Sequence, residues 1–280
     1  MSQNVNPLKQ FFRQPAIYLR LPSGGEYWPQ GSLDTTKNGE LPVYPMTAID
    51  DISYRTPDAL YNGQATVNVV HSCVPSIKDA WSMPATDLNS VLVAIRIASF
   101  GHEMEIGSTC PNCKTEGEYA IDLRQVLDQT QPPDFATPMQ HGDLTIYFRP
   151  MDYQSQTETS KLQFEQQKSI SVIQESELPE EKKIEELNKV LARITELTID
   201  ALKYSIQSIQ TPQALVTEPE FIYEFLTQCD RKLFIEIRDR IIKLREQSEF
   251  KPIQLKCDNC SHEYEQSVVL DQSNFFGNAS

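Results

Sequence analysis

Cys110-Pro-Asn-Cys113 and Cys257-Asp-Asn-Cys260 are the two stretches on which the fold of this chain turns. Each is a C-x-N-C pair, a tight turn that aims two thiolates at one point. Four thiolates close a tetrahedral structural Zn²⁺ site and leave no position for a substrate. The flanks repeat as well. His102-Glu-Met104-Glu-Ile106 alternates before the first pair, and Tyr119-Ala-Ile121-Asp-Leu123 follows it. Ile253-Gln-Leu255-Lys leads into the second pair, and Tyr264 to Leu270 follows it. Both read as strand, knuckle, strand. The expectation is a zinc ribbon formed by residues 102–123 with 250–270, with metal ligands Cys110, Cys113, Cys257 and Cys260. A unit of domain size separates the halves, so its two ends must return to one place. His262 is a rival ligand, but the four cysteines suffice.

Composition narrows the classes. A chain of 280 residues can bury a sizeable core. It has no run of about 18 apolar residues, so no membrane span is expected. Met1 to Arg13 is polar and lacks the apolar core of a signal peptide, which implies a cytoplasmic site of synthesis. Cys73 and Cys229 lie in apolar stretches and read as buried free thiols. A disulfide framework does not fit a chain of this length and setting. The net charge of −14 opposes binding to a phosphate backbone, which needs clustered cations. The richest basic group, Arg238, Arg240, Lys243 and Arg245, is interleaved with Glu236, Asp239 and Glu246, the pattern of a solvated helix face.

Along the chain, a tail over 1–13 precedes an N-terminal α/β unit over 14–101. Residues 16–22 read as a strand ending at the Ser23-Gly24-Gly25 turn, and Leu41 to Met46 as an edge strand interrupted by prolines. Thr47 is placed to cap a short helix with Asp50 and Asp51 in its first turn. Gln64 to Val74 and Asp87 to Phe100 read as helices, the second with Leu88, Val91, Leu92, Ile95 and Ala98 on one face and Gly101 as its stop. Residues 124–151 form a connection and the alternating strand Leu144 to Pro150. Residues 152–249 read as helical throughout, with Asp152 and Asp230 as caps and a heptad-like face of Ile184, Leu187, Leu191 and Ile194 that packs on another helix. A tail over 271–280 completes the chain. The fold class is α+β, with a split zinc ribbon and an inserted helical subdomain.

No catalytic constellation emerges. The four histidines, His71, His102, His141 and His262, have no HExxH or GxSxG context. His71 reads as a partly buried packing residue. Asp50 and Asp51 are adjacent on a helix and diverge. Ser23-Gly24-Gly25 lacks the rest of a phosphate loop. A non-enzymatic protein is expected. Two aromatic pairs, Phe11-Phe12 and Phe275-Phe276, lie in the polar tails and are candidate anchors for partner subunits, with packing onto their own domain as the alternative.

The order of several segments resembles the baseplate hub and hub-assembly proteins of T4-like contractile-tailed bacteriophages. These segments are Leu21-Pro-Ser-Gly-Gly, Pro45-Met-Thr-Ala-Ile-Asp-Asp, Asn62-Gly63, Ser72-Cys73-Val74, Asp87-Leu, Ala94 to Gly101, and Cys110-Pro-Asn-Cys113. The resemblance covers roughly residues 16–123 and the second knuckle. It does not reach the helical block. It implies a virion component or assembly factor that binds other tail proteins, located in the tail baseplate and in the cytoplasm of the infected host, with no catalytic residue to carry over. The alternative reading is a zinc-ribbon regulator binding nucleic acid or polymerase.

Overall fold

The computed structural model describes residues 6–54 and 61–268. Phe275 and Phe276 lie outside them. The architecture is a mixture of helices and small antiparallel sheets.

Strands β1 (Ile17–Arg20) and β2 (Glu40–Val43) pair antiparallel, with Leu19 opposite Leu41, both buried. Helix α1 (Ala48–Tyr54) follows. Thr47 and Asp50 cap it reciprocally: the Asp50 N–H donates to Thr47 Oγ1 at 3.3 Å, and the Thr47 N–H donates to Asp50 Oδ2 at 2.7 Å. Helix α2 (Gln64–Cys73) starts at Gly63, whose φ of 77° suits glycine. Helix α3 (Ala85–Phe100) is the centre of the unit. The sequence predicts one apolar face. The structure buries Leu88 and Val91 to Ile95 without a break, because strands and helices cover α3 on several sides. Gly101, at φ 90°, ends it by donating to the Ile97 carbonyl.

The chain then enters β3 (Glu103–Thr109), which pairs in register with β4 (Glu116–Asp122). Asp122 caps the short helix α4 (Leu123–Asp128). Near the C-terminus, β9 (Ile253–Lys256) and β10 (Glu263–Gln266) form a second hairpin. Phe250 joins the buried core of the N-terminal unit, and Ile253 and Val268 pack against it. The second hairpin therefore returns to the neighbourhood where the first one leaves.

Between the hairpins lies the insert. Strands β5 (Met139–His141) and β6 (Leu144–Phe148) lead to α5 (Tyr153–Glu175), capped by Asp152 as its spacing predicts. Helix α6 (Glu180–Tyr204) folds back on α5 as an antiparallel hairpin, but the heptad-like face is not buried as expected. Ile184 and Leu191 are exposed and Leu187 and Ile194 half-buried, because the pair packs as two helices with nothing buried around its outer half among the described residues. The root of the pair is held by backbone bonds from Tyr153 to Met83 and from Gln154 to Trp81, with Tyr153 stacked on Trp81 at 5.6 Å.

The expectation of helix throughout 152–249 fails after Tyr204. Ile206–Gln210 is β7, which pairs with β6 and with β8 (Leu215–Val216) in a four-stranded antiparallel sheet ordered β5-β6-β7-β8. Phe148 and Ile146 on β6 meet Ile206 and Ile209 on β7, so burial across the sheet overrides local helix preference. Helices α7 (Pro219–Gln228) and α8 (Arg231–Gln247) cover this sheet through Ile222, Leu226, Leu233 and Ile237. Asp230 caps α8 by accepting from Lys232 and Leu233.

Candidate metal centre

The two knuckles share one backbone design. In the first, the Cys110 N–H donates to the Thr115 carbonyl at 3.0 Å, and the Lys114 N–H donates to the Cys110 carbonyl at 2.9 Å. In the second, the Cys257 N–H donates to the His262 carbonyl at 2.9 Å, and the Ser261 N–H donates to the Cys257 carbonyl at 2.8 Å. The residue after each second cysteine is left-handed, Lys114 at φ 60° and Ser261 at φ 58°. This closes each turn so that its pair of thiols points the same way.

The four thiols meet. Their sulfurs lie within 4.8 Å of one another, with Cys110 Sγ 3.7 Å from Cys260 Sγ and Cys113 Sγ 3.6 Å from Cys257 Sγ. These distances far exceed a disulfide bond of about 2.05 Å, and all four cysteines are free. Each close pair joins one knuckle to the other. Cys110 and Cys257 are buried, while Cys113 and Cys260 are half-buried. Leu255 and Tyr264 close over the sulfurs from the second hairpin. Four sulfur donors so arranged can hold a metal ion.

The electrostatics differ across the cluster. The hydroxyl and N–H of Thr115 and the Asn259 amide hold the Cys113 thiol down at about 5, against burial. Thr115 Oγ1 lies 3.3 Å from that sulfur. At Cys257, donation from the Cys260 and Asn259 N–H groups favours the thiolate. Burial and the neighbouring Cys113 and Cys110 thiols outweigh it and push the value up to about 11.

The two hairpins belong to separate two-stranded sheets, and side chains join them. The Tyr264 hydroxyl donates to Ser108 Oγ at 3.0 Å, and Ser108 Oγ donates to Gln266 Oε1 at 2.6 Å. Asn112 Nδ2 donates to Cys260 Sγ at 3.6 Å, and Asn259 Nδ2 donates to Thr115 Oγ1 at 3.1 Å. The spacing of the cysteines is legible in the sequence. The cross-knuckle asparagines were visible there only as the shared C-x-N-C pattern.

The other predicted residues fall outside the cluster. His262 is stacked on the Tyr264 ring at 6.3 Å. Cys73 is fully buried, and burial, with the charge of Asp50, pushes its thiol up to about 12. Cys229 is only partly buried, a small correction to its expected burial. His71 is exposed rather than a packing residue, and its Nε2 accepts the Ala80 N–H at 3.1 Å. Asp50 is a structural acceptor for Thr47 and Ser72.

The profile of the family described as T4 bacteriophage base plate protein matches residues 54–277, which include both knuckles and the whole insert. The chain belongs to this family. The match begins after the Leu21 and Pro45 segments that carry part of the sequence resemblance, and it takes in the central block that the resemblance did not reach. No curated protein matches the chain, and no solved structure does. Membership suggests a structural or assembly role in the phage tail, with other tail proteins as partners. Among the described residues, no helix is long and apolar enough to cross a membrane.

Proposed function

We propose that this chain is a non-enzymatic subunit or assembly factor of the baseplate hub of a contractile tail, stapled by one structural Zn²⁺ on Cys110, Cys113, Cys257 and Cys260. The observation that carries the proposal is the convergence, in a baseplate-family chain, of four cysteines from two distant knuckles. A tetrahedral ion with metal–sulfur bonds of about 2.3 Å sets its sulfurs about 3.8 Å apart. The closest cross-knuckle pairs, at 3.6 and 3.7 Å, fit that size. With four thiolates bound, no coordination position remains for water or substrate, so the ion contributes rigidity rather than Lewis acidity.

In this role the zinc holds the split ribbon closed and fixes the return of the insert to the N-terminal unit. The partner-binding part of the reading draws on the N-terminal segment. Arg13 is pinned by Nη1 to the Pro45 carbonyl at 2.6 Å and by Nη2 to the Ser72 carbonyl and hydroxyl at 2.8 Å. Just before this pin, a 3₁₀ turn over Pro7–Phe11 leaves Phe11 76% and Phe12 55% exposed. Two aromatic rings held outward beside a fixed point suit an anchor in a partner's pocket better than packing onto their own domain. Phe275 and Phe276 are proposed as a second anchor on the sequence reading alone.

Quantitative mass spectrometry of purified tails and of hub intermediates tests the function. Recovery in finished particles supports a subunit, and recovery in intermediates alone supports an assembly factor. Recovery only with host polymerase would sink the baseplate reading.

A further inference from the structure

We propose that Asn112 and Asn259 are a pair of positioning residues carried by opposite knuckles, Asn112 holding the Cys260 sulfur directly and Asn259 holding the Cys113 sulfur through Thr115. The proposal rests on the zinc reading and deepens it. Asn112, third in the first knuckle, donates from Nδ2 to Cys260 Sγ at 3.6 Å. Asn259, third in the second knuckle, donates from Nδ2 to Thr115 Oγ1 at 3.1 Å, and that oxygen lies 3.3 Å from Cys113 Sγ. Asn112 thus reaches the second cysteine of the opposite turn directly, and Asn259 reaches it through Thr115. The shared backbone bonding and the matching left-handed residues Lys114 and Ser261 place the two in equivalent positions.

The choice of sulfur has a chemical reason. Cys110 and Cys257 are enclosed, whereas Cys113 and Cys260 are the half-buried pair. Four thiolates around Zn²⁺ leave a net charge of about −2. The chain already carries −14. An amide N–H aimed at an accessible thiolate disperses that charge and fixes the direction of its lone pairs. Outer-sphere hydrogen bonds of this kind fix ligand orientation and tune affinity.

The crossing has a second effect. The backbone bonds of the second turn, Cys257 N–H to the His262 carbonyl and Ser261 N–H to the Cys257 carbonyl, lie within one hairpin, so an isolated hairpin could supply them. The asparagine bonds exist only when both hairpins are docked. They link retention of the ion to closure of the split ribbon, so neither half holds the metal well alone.

The test uses the full-length protein loaded with zinc or cobalt. Asn112→Ala, Asn259→Ala and the double variant are compared by the rate of zinc transfer to the chelator 4-(2-pyridylazo)resorcinol and by the sulfur-to-cobalt charge-transfer spectrum. Each single variant is expected to weaken zinc binding about 10- to 100-fold and to shift the cobalt band. Asn112→Asp, of equal size but with a carboxylate facing the thiolate, is expected to bind more weakly than Asn112→Ala. Asp258→Ala, an exposed neighbour in the same turn, is expected to match the unaltered protein. If the unaltered protein takes up one zinc and both alanine variants equal it in transfer rate and spectrum, the asparagine proposal is overturned and the zinc site stands. If the unaltered protein takes up neither metal, both are overturned.

Discussion

Lys114 and Ser261 hold the same left-handed backbone conformation, each one residue past the second cysteine of its knuckle, at φ 60° and 58°. Their N–H groups close on the carbonyls of Cys110 and Cys257. A side chain in this region costs about 1–2 kcal/mol, partly offset in glycine by its greater loss of freedom. Ser261→Gly is therefore expected to raise the melting temperature of the zinc-loaded protein slightly, and Ser261→Val to lower it. Calorimetry of the two variants checks the order, and a valine variant as stable as the glycine one would contradict it.

Removal of one sulfur tests the shared site. Cys257→Ser is expected to release zinc and to lower the melting temperature, because the remaining ligands form an incomplete set. Thiolates bind metal only when deprotonated, so acidification is expected to release the ion from the unaltered protein. Metal content by atomic absorption checks both. Unchanged zinc in Cys257→Ser would refute a site shared between the knuckles.

Asp87 joins two segments that are unremarkable when read apart. Its carboxylate is buried and accepts from the Ser23 N–H at 2.9 Å, the Ser23 hydroxyl at 2.5 Å and Trp28 Nε1 at 2.8 Å. Burial pushes its pKa above the ordinary 3.8, while the donors from Ser23 and Trp28 pull it back. Asp87→Asn leaves an N–H facing a donor in either amide orientation, a loss of about 1–3 kcal/mol. A folded value above the unfolded one makes the aspartate's contribution greatest below the unfolded pKa, and it is lost as pH rises through the folded value. The stability gap between the two proteins should widen from pH 7 to pH 4 in urea denaturation.

Gly63 has no substitute in its setting. At φ 77°, an added Cβ would lie 3.1 Å from both the Tyr153 hydroxyl and a Thr157 methyl carbon. Gly63→Ala combines backbone strain with this crowding and is expected to cost about 1–3 kcal/mol. Equilibrium unfolding measures it, and a neutral result would show that the root of α5 yields at no cost.

Phe11 and Phe12 make little contact in the isolated chain. Phe11→Ser with Phe12→Ser is expected to leave the melting temperature within about 1 °C, since exposed sites contribute little. The same protein should enter tails poorly. Normal incorporation, scored by mass spectrometry of particles, would remove these rings from the partner surface.

Local chemistry was the legible part of the fold. The Asp152, Asp230 and Thr47 caps and the Gly101 stop act within a few residues, and each is found where its spacing predicts. Strand β7 escaped because Ile206–Gln210 is short and follows Tyr204 without a breaker. Its partner Phe148 lies beyond both long helices, where periodicity has no reach. The full burial of α3 escaped for the same reason, since Val93 and Ala94 are covered by elements distant in sequence. At the cysteine cluster the four thiols could be counted from the chain. The direction in which Asn112 and Asn259 point depends on how the two hairpins dock.

The separation between the two knuckles has a consequence in time. Cys113 and Cys257 stand 144 positions apart, and the closure cost of a loop that long is of order 4–5 kcal/mol. During synthesis the first knuckle emerges with half a ligand set and waits while the sheet and four helices of the insert form. Only a chain translated through Cys260, with its insert folded so that the second hairpin lies against the first, offers the complete set. Retained metal would therefore mark a finished molecule, and truncated or misfolded copies would reach the assembly line unloaded.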